Sequence, residues 1–314
     1  MMIDLLCAVV LDLLIGDPPT FPHPVKWMGS LIAWEEKVVR QYAQNDRTLR
    51  MGGFLIVFVN IGAAFGLPYM LLRVLWPVSP LAYHLVNIYL VYACLAARCL
   101  RDEAIAILRA LNQGIEQARR RLSFIVGRET AGLPETEILR AVVETVAENT
   151  ADAVIAPLFY AMLGGAPLAL TYKMVNTMDS MLGYTNDKYR AIGYFPAKMD
   201  DLWNYVPARL SGVLMNLSSL FRFSVPDGFR IMMRDRRNHK SPNCAYPEGA
   251  VAGLLGVQLG GDNVYFGEIV RKPTIGDAGR PLERRDIQRA VEIMFRAECL
   301  WLIFYFMSLY FRSK

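Results

Sequence analysis

The sequence predicts an all-α fold, a polytopic integral membrane helical bundle with one re-entrant helical hairpin and cytoplasmic loops that carry the site. Three observations lead there. The 314 residues are 54% hydrophobic with a mean hydropathy of +0.25, well above the composition of soluble domains. Several apolar stretches approach the roughly 20 residues that a spanning helix needs. Finally, Val143 to Arg209 combines apolar length with polar side chains that hydrocarbon tolerates only around a cavity or a ligand. The chain reads as a single membrane-embedded domain, residues 1–314, with cytoplasmic loops at about 16–52, 101–152, 176–204 and 224–290.

Met1 to Ile15 resembles a signal peptide at first, but it lacks a basic start and an Ala-x-Ala site and holds Asp4 and Asp12. It reads as a retained short membrane helix ending at Gly16-Asp17-Pro18-Pro19. Asp12 either packs against the bundle or joins a polar cavity. In Gly16 to Gly29, prolines at 18, 19, 22 and 24 predict an ordered, extended loop. His23 sits between two of them, in a structural or a functional role. Leu31 to Arg40 follows as a short amphipathic helix with Glu35, Glu36, Lys37 and Arg40 solvated.

Gly53 to Trp76 and Leu81 to Leu100 read as two spanning helices joined by the uncharged Trp76-Pro77-Val78-Ser79-Pro80 turn, which faces away from the positive side. Arg101 to Arg140 is polar with helical periodicity and rich in arginine, so it is placed in the cytoplasm. Arg128, after a glycine and before a turn, is a candidate for gripping phosphate. A last apolar run spans Met294 to Phe311.

Between these lies the central stretch. Glu144, Glu148 and Asp152 fall at i, i+4 and i+8, so a helix sets all three on one face. Like charges at that spacing destabilise an isolated helix, so a cation is expected nearby; a solvated acidic stripe is the alternative. Ala153 to Val175 carries one formal charge, Lys173, and is broken by Gly164-Gly165-Ala166-Pro167. Each arm of about 11 residues is roughly 16 Å of helix, half the hydrocarbon thickness. A hairpin that dips in and returns is therefore favoured over a single span.

Further on, Asp200-Asp201-Leu202-Trp203-Asn204 leads to Arg209, and a basic loop holds His239-Lys240 ahead of a glycine-rich helical stretch, Pro247 to Gly261. Asp262-Asn263 and Gly267 read as loop. Five scattered cysteines and three histidines argue against a disulfide framework or a transition-metal site. The net charge of +5 is spread over loops without interleaved aromatics, so nucleic acid is excluded as a partner. No Walker or dinucleotide fingerprint occurs.

The motifs GDPPTFPHPVKWMG, VGRET, ETVAENTADAVIAPLFYAMLGGAP, YKMVNTMDSMLGY, DDLWNYVPARL, HKSPN with YPEGAVAGLLGVQLGG, and KPTIGD, in that order, resemble the CobD/CbiB family over nearly the whole chain. The chain departs at Ala153, where the family usually has glycine. The resemblance implies an adenosylcobinamide-phosphate synthase, which joins adenosylcobyric acid to (R)-1-amino-2-propanol O-phosphate in an ATP-dependent amide ligation. It implies ATP and Mg²⁺ as cofactors, Glu148, Asp152 and Asp179 as the metal ligands, and His23, Asp200 or His239 as the base. Arg128, Arg209 and Lys240 would hold phosphate, with Asp17, Asn149, Lys173, Asn176, Asp201 and Asn204 as further substrate-binding positions. It also implies a multi-pass protein of the cell inner membrane with its site facing the cytoplasm, in contact with the lipid bilayer and able to form homo-oligomers. The rivals are a Mg²⁺-dependent prenyl or phospho-alcohol transferase, whose paired Asp-rich motifs are missing, and a non-catalytic scaffold or transporter subunit, for which no internal repeat is found.

Overall fold

The computed structural model of the chain describes residues 2–18, 21–265 and 267–312. Met1, at the start of the expected first helix, and Pro19 and Thr20, in the proline loop, lie outside the described residues. The helices, in chain order, are α1 (Met2–Ile15), α2 (Pro24–Tyr42), α3 (Asp46–Val78), α4 (Pro80–Tyr92), α5 (Ala97–Gln113), α6 (Ile115–Leu122) and α7 (Glu135–Thr150). A π-helical turn, Ala151–Ile155, leads into α8 (Ala156–Leu182), α9 (Tyr194–Trp203), α10 (Tyr205–Ser218), α11 (Val225–Asp235), α12 (Ala245–Leu255) and α13 (Arg284–Arg312). Four short strands, β1 (Leu259–Gly260), β2 (Asn263–Tyr265), β3 (Glu268–Val270) and β4 (Thr274–Ile275), lie between α12 and α13. Two compact units result, each discontinuous in sequence. One is Met1–Ala96 with Ala156–Asn204, and the other is Ala97–Ile155 with Tyr205–Lys314.

Among the described residues, three helical runs are long and apolar enough to cross a membrane, Asp46–Val78, Pro80–Gln113 and Glu135–Leu182. The Met294 to Phe311 stretch, expected to span, lies in α13. The expected Leu81 to Leu100 span lies within Pro80–Gln113, which carries a turn inside it. α4 ends at Tyr92, and a turn at residues 93–96 starts the amphipathic α5.

In the first unit, α3 begins at a capping box. Asn45 Oδ1 accepts from the Thr48 N–H, and Thr48 Oγ1 accepts from the Asn45 N–H. Ser79 both ends α3 and caps α4, where it accepts from the Ala82 N–H, and Pro80 takes the first helical position. Trp76 meets Tyr83 edge-on across this turn, so the predicted α3–α4 hairpin forms. Asp4 and Asp12 are both buried, which packs them into the unit. The Asp4 carboxylate accepts from Asn87 Nδ2 at 2.7 Å and meets His84 Nδ1 at 2.9 Å, tying α1 to α4. The loop before α2 is shorter than its prolines suggest. Pro24 is the first residue of α2, because proline has no N–H to lose there. Glu35, expected to be solvated, instead accepts from the buried Asn60 of α3.

The break in α8 falls where the sequence places it. Gly164 and Gly165 have non-helical backbones, and Gly165 has φ +67° and ψ −158°, a region that is essentially reserved for glycine. The two arms turn back on each other. Tyr160 and Tyr172 stack with ring centroids 5.2 Å apart, whereas 12 residues of continuous helix would separate them by about 18 Å. Each hydroxyl is anchored at the end of α9, Tyr160 Oη on the Trp203 carbonyl and Tyr172 Oη on Asn204 Oδ1.

In the second unit α7 is buried almost all round, from Ile138 to Ala147, as an apolar-sided central helix must be. The glycine-rich helix α12 stops at Leu255, earlier than the expected Gly261, because Gly256 takes a left-handed cap. The segment read as loop then forms antiparallel pairs, Leu259 with Ile275 and Asn263 with Val270.

Gly165→Ala is expected to destabilise the protein by about 1–3 kcal/mol. Gly62→Ala, at a mid-α3 position with nothing near the added methyl, should be neutral or stabilising by up to about 1 kcal/mol. Thermal unfolding of the two variants in detergent checks the contrast.

Candidate functional site

In the second unit a cavity of about 150 Å³ opens beside α7. Glu144, Thr145, Glu148 and Asn149 line it, at i, i+1, i+4 and i+5, which is one helix face. Arg128, His239, Glu248, Asn263 and Lys272 complete the polar wall. The Glu144 carboxylate of α7 is offset as the sequence requires. Arg128, 7% exposed, donates from Nη2 to Glu144 Oε2 at 2.8 Å and from Nη1 to Asn263 Oδ1. Arg140 Nη2 donates to the same Asn263 oxygen at 3.1 Å, and its Nε lies 3.8 Å from Glu144. Glu144 Oε1 also accepts from the Gly260 N–H at 2.8 Å, so one carboxylate fastens α7 to both Arg128 and the strand segment.

Glu148 accepts from the Cys244 thiol at 3.0 Å. Burial, followed by the charge of Glu148, pushes that thiol well above its ordinary pKa. Glu248 is 4% exposed in α12. Burial raises its pKa well above the ordinary carboxylate value, and the charges of Glu144 and Glu148 add to the effect. Asp152 follows in the π turn; it does not line the cavity, but its charge acts on the Cys244 thiol together with Glu148.

The histidines are arranged alike, each in its own unit. His239 Nδ1 accepts from the Ser241 N–H at 3.0 Å. His23 Nδ1 accepts from the Val25 N–H at 3.3 Å and caps α2, while its Nε2 lies 3.6 Å from Asp17. A neutral ring with Nδ1 so used carries its proton on Nε2. Burial lowers the pKa of both rings. For His23, Asp17 opposes and Lys173 reinforces the shift; for His239, Glu148 opposes and Lys272 reinforces it. Each ring therefore presents an N–H donor and no spare lone pair.

The remaining expected residues are distributed between the two units. In the first, Asp200 accepts from Asn204 Nδ2 at 3.0 Å and from Asn176 Nδ2 at 3.4 Å, and Asn204 in turn takes the Tyr172 hydroxyl. Asp201 pairs with Lys198 instead, and the Asp179 carboxylate leans on Gly183. In the second, Arg209 is held over the rings of Tyr205 and Tyr246, at 3.5 and 4.4 Å, and donates to Asn243. Lys240 is exposed beside His239, and it is Lys272 that lines the cavity. Among the described residues no group of three His, Cys, Asp or Glu side chains is placed to hold a metal ion.

The sequence does not single out Glu248, Lys272 and Asn263 as site residues, and Glu144 is outside the metal ligands that the resemblance implies. A signal existed for Glu248, the one formal charge between Cys244 and Gly261. A lone carboxylate in an apolar run is the same signal that marks the 143–209 stretch.

A carboxyl whose folded pKa is raised favours folding at low pH, and that contribution is lost as pH rises from its unfolded value of 4.5 through the folded value. Glu248→Gln should therefore match the parent in thermal stability at about pH 4 and exceed it increasingly toward neutral pH. Melting curves across that range check the sign.

The family model described as CobD/Cbib protein matches residues 5–294. "Cobalamin biosynthesis protein CobD" of Clostridium tetani is 51% identical over 308 residues, 97% of this chain and 96% of that one. "Cobalamin biosynthesis protein CobD" of Clostridium acetobutylicum is 48% identical over the full length of both chains. "Cobalamin biosynthesis protein CbiB" of Salmonella typhimurium is 49% identical over 297 residues, 94% of this chain and 93% of that one. No solved structure matches the chain. With a family model across nearly all of its length and full-length relatives near half identity, the chain belongs to the CobD/CbiB family.

Proposed function

We propose that the protein is an amide-forming ligase of cobalamin biosynthesis. In this reading it joins the carboxylate of adenosylcobyric acid to the amine of (R)-1-amino-2-propanol O-phosphate at the expense of ATP, giving adenosylcobinamide phosphate. Full-length relatives named for cobalamin biosynthesis support the pathway. The observation that carries the chemistry is the cavity beside α7, where Arg128, Lys272 and the His239 N–H stand with the carboxylates Glu148 and Glu248. Such a wall suits a ligand with a phosphate at one end and an ammonium at the other.

A carboxylate is a poor acyl donor. Phosphoryl transfer from ATP makes it a good one, with ADP as the other product. The amine nitrogen then forms the C–N bond as the acyl C–O bond breaks, phosphate departs with the bonding electrons, and the nitrogen releases a proton. The chain's residues bind and orient these groups. Arg128 is already directed by Glu144 and Asn263, which fixes its guanidinium without exposing it to water. His239 can donate from Nε2 to an anionic oxygen. The proton from nitrogen needs an acceptor, and in the second unit carboxylates are better placed for it than a ring whose Nδ1 is occupied.

Mg²⁺ demands oxygen ligands, and the cavity supplies carboxylate oxygens from Glu148 and Glu248. With no three-residue cluster among the described residues, it would be held by one or two carboxylates, Glu148 foremost, together with phosphate oxygens. When bound it neutralises phosphate charge. Because ATP is cytoplasmic, this reading places the site on the cytoplasmic side of a multi-pass membrane protein.

The purified protein supplied with MgATP, adenosylcobyric acid and aminopropanol phosphate should form adenosylcobinamide phosphate, with ATP turnover requiring both organic substrates. ATP turnover indifferent to them, or product formation from an isoprenyl diphosphate, would overturn the reading in favour of another membrane-embedded transferase.

A further inference from the structure

Glu248 does no work for the fold that its surroundings reveal. It is 4% exposed, yet its carboxyl makes no hydrogen bond among the described residues, and it faces the cavity beside α7. It has little freedom to leave. A Cβ on Gly249 would come 2.9 Å from Met232 Cα, and one on Gly253 would come 2.4 Å from the Asp227 carbonyl, so α12 lies in direct backbone contact with α11. A buried polar group without a partner is costly, and a fold that fixes one at a cavity wall holds it for a ligand.

The cavity's charges say which end of a ligand this is. Arg128 is matched by Glu144 at 2.8 Å. Glu148 and Glu248 bring two further carboxyl groups to the same wall, and a cationic group is the ligand end they suit. Lys272, the His239 Nε2–H and the outer edge of Arg128 provide donors for an anion in the same space. At about 150 Å³ the cavity falls below the roughly 300–1,000 Å³ of sites that enclose drug-sized ligands. The space matches a molecule of a few carbons bearing two charged ends better than a whole nucleotide or corrinoid.

We infer that this cavity is the subsite for the aminoalkyl phosphate, with Lys272, Arg128 and His239 at the phosphate end and Glu248 receiving the ammonium. The inference rests on the ligase reading for the identity of the ligand, and it assigns to the second unit the smallest of the three substrates. Glu248 is a binding residue here.

Binding of two probes to the full chain in detergent tests it, by calorimetry with EDTA present so that no divalent cation takes part. One probe is 1-amino-2-propanol O-phosphate; the other is 1,2-propanediol 2-phosphate, which has a hydroxyl in place of the amine. The parent should favour the amine probe by at least about tenfold. Glu248→Gln, an isostere that loses no hydrogen bond within the fold, should weaken the amine probe by about 30-fold or more and the hydroxyl probe by less than about twofold. Lys272→Met should weaken both by a similar factor. A parent that does not distinguish the probes overturns the assignment, as does a Glu248→Gln variant that weakens both alike or neither. Product formation by the same parent preparation separates this from the ligase reading. Product without amine discrimination removes only the subsite, and discrimination without product removes only the ligase.

Discussion

A helix that carries Glu144 and Glu148 on one buried face is unstable unless cations are brought to it, and Arg128 and Arg140 answer that need in the second unit. The Arg128–Glu144 pair has side chains 5% and 13% exposed, so desolvation makes it costly to form and costlier to break. Each partner has a second tie. Glu144 holds the Gly260 N–H and Arg128 holds Asn263, so the charge pair also positions the short strand segment across the cavity. Asp152 lies in the π turn that follows α7, where its charge acts with that of Glu148 on the Cys244 thiol.

Proton chemistry follows from a second constraint. Both His23 and His239 spend Nδ1 on a backbone N–H two residues ahead, and burial keeps both rings neutral. What they offer is a donor, suited to phosphate or carboxylate. The groups able to accept a proton in the second unit are carboxylates whose affinity for it is raised by burial and by one another, Glu248 above all.

Much of this was legible in the residues. The Gly164-Gly165 break with Pro167 behind it foretold a hairpin, because two arms of half the bilayer thickness have no other economical arrangement, and the Tyr160–Tyr172 stack shows the return. The carboxylate spacing on α7 foretold both a shared face and a compensating cation. What the sequence did not disclose depends on tertiary packing or on single backbone positions. Pro24 reads equally as loop or as the first residue of a helix until the His23 cap is seen. The end of α12 at Gly256 depends on one left-handed residue in a run of glycines. Lys272 reaches the cavity through strand pairing far from α7 in sequence, and no local pattern announces it.

Arg128 is the counter-charge that lets α7 carry Glu144 on a buried face, and a double-mutant cycle tests this most directly. Unfolding free energies of the parent, Arg128→Gln, Glu144→Gln and the double variant would be measured in detergent. Losing one partner of a buried pair should cost about 3–5 kcal/mol in Arg128→Gln, and neutralising Glu144 as well should recover at least about 2 kcal/mol of that loss. Additive single effects, with the double variant no more stable than Arg128→Gln, would contradict it.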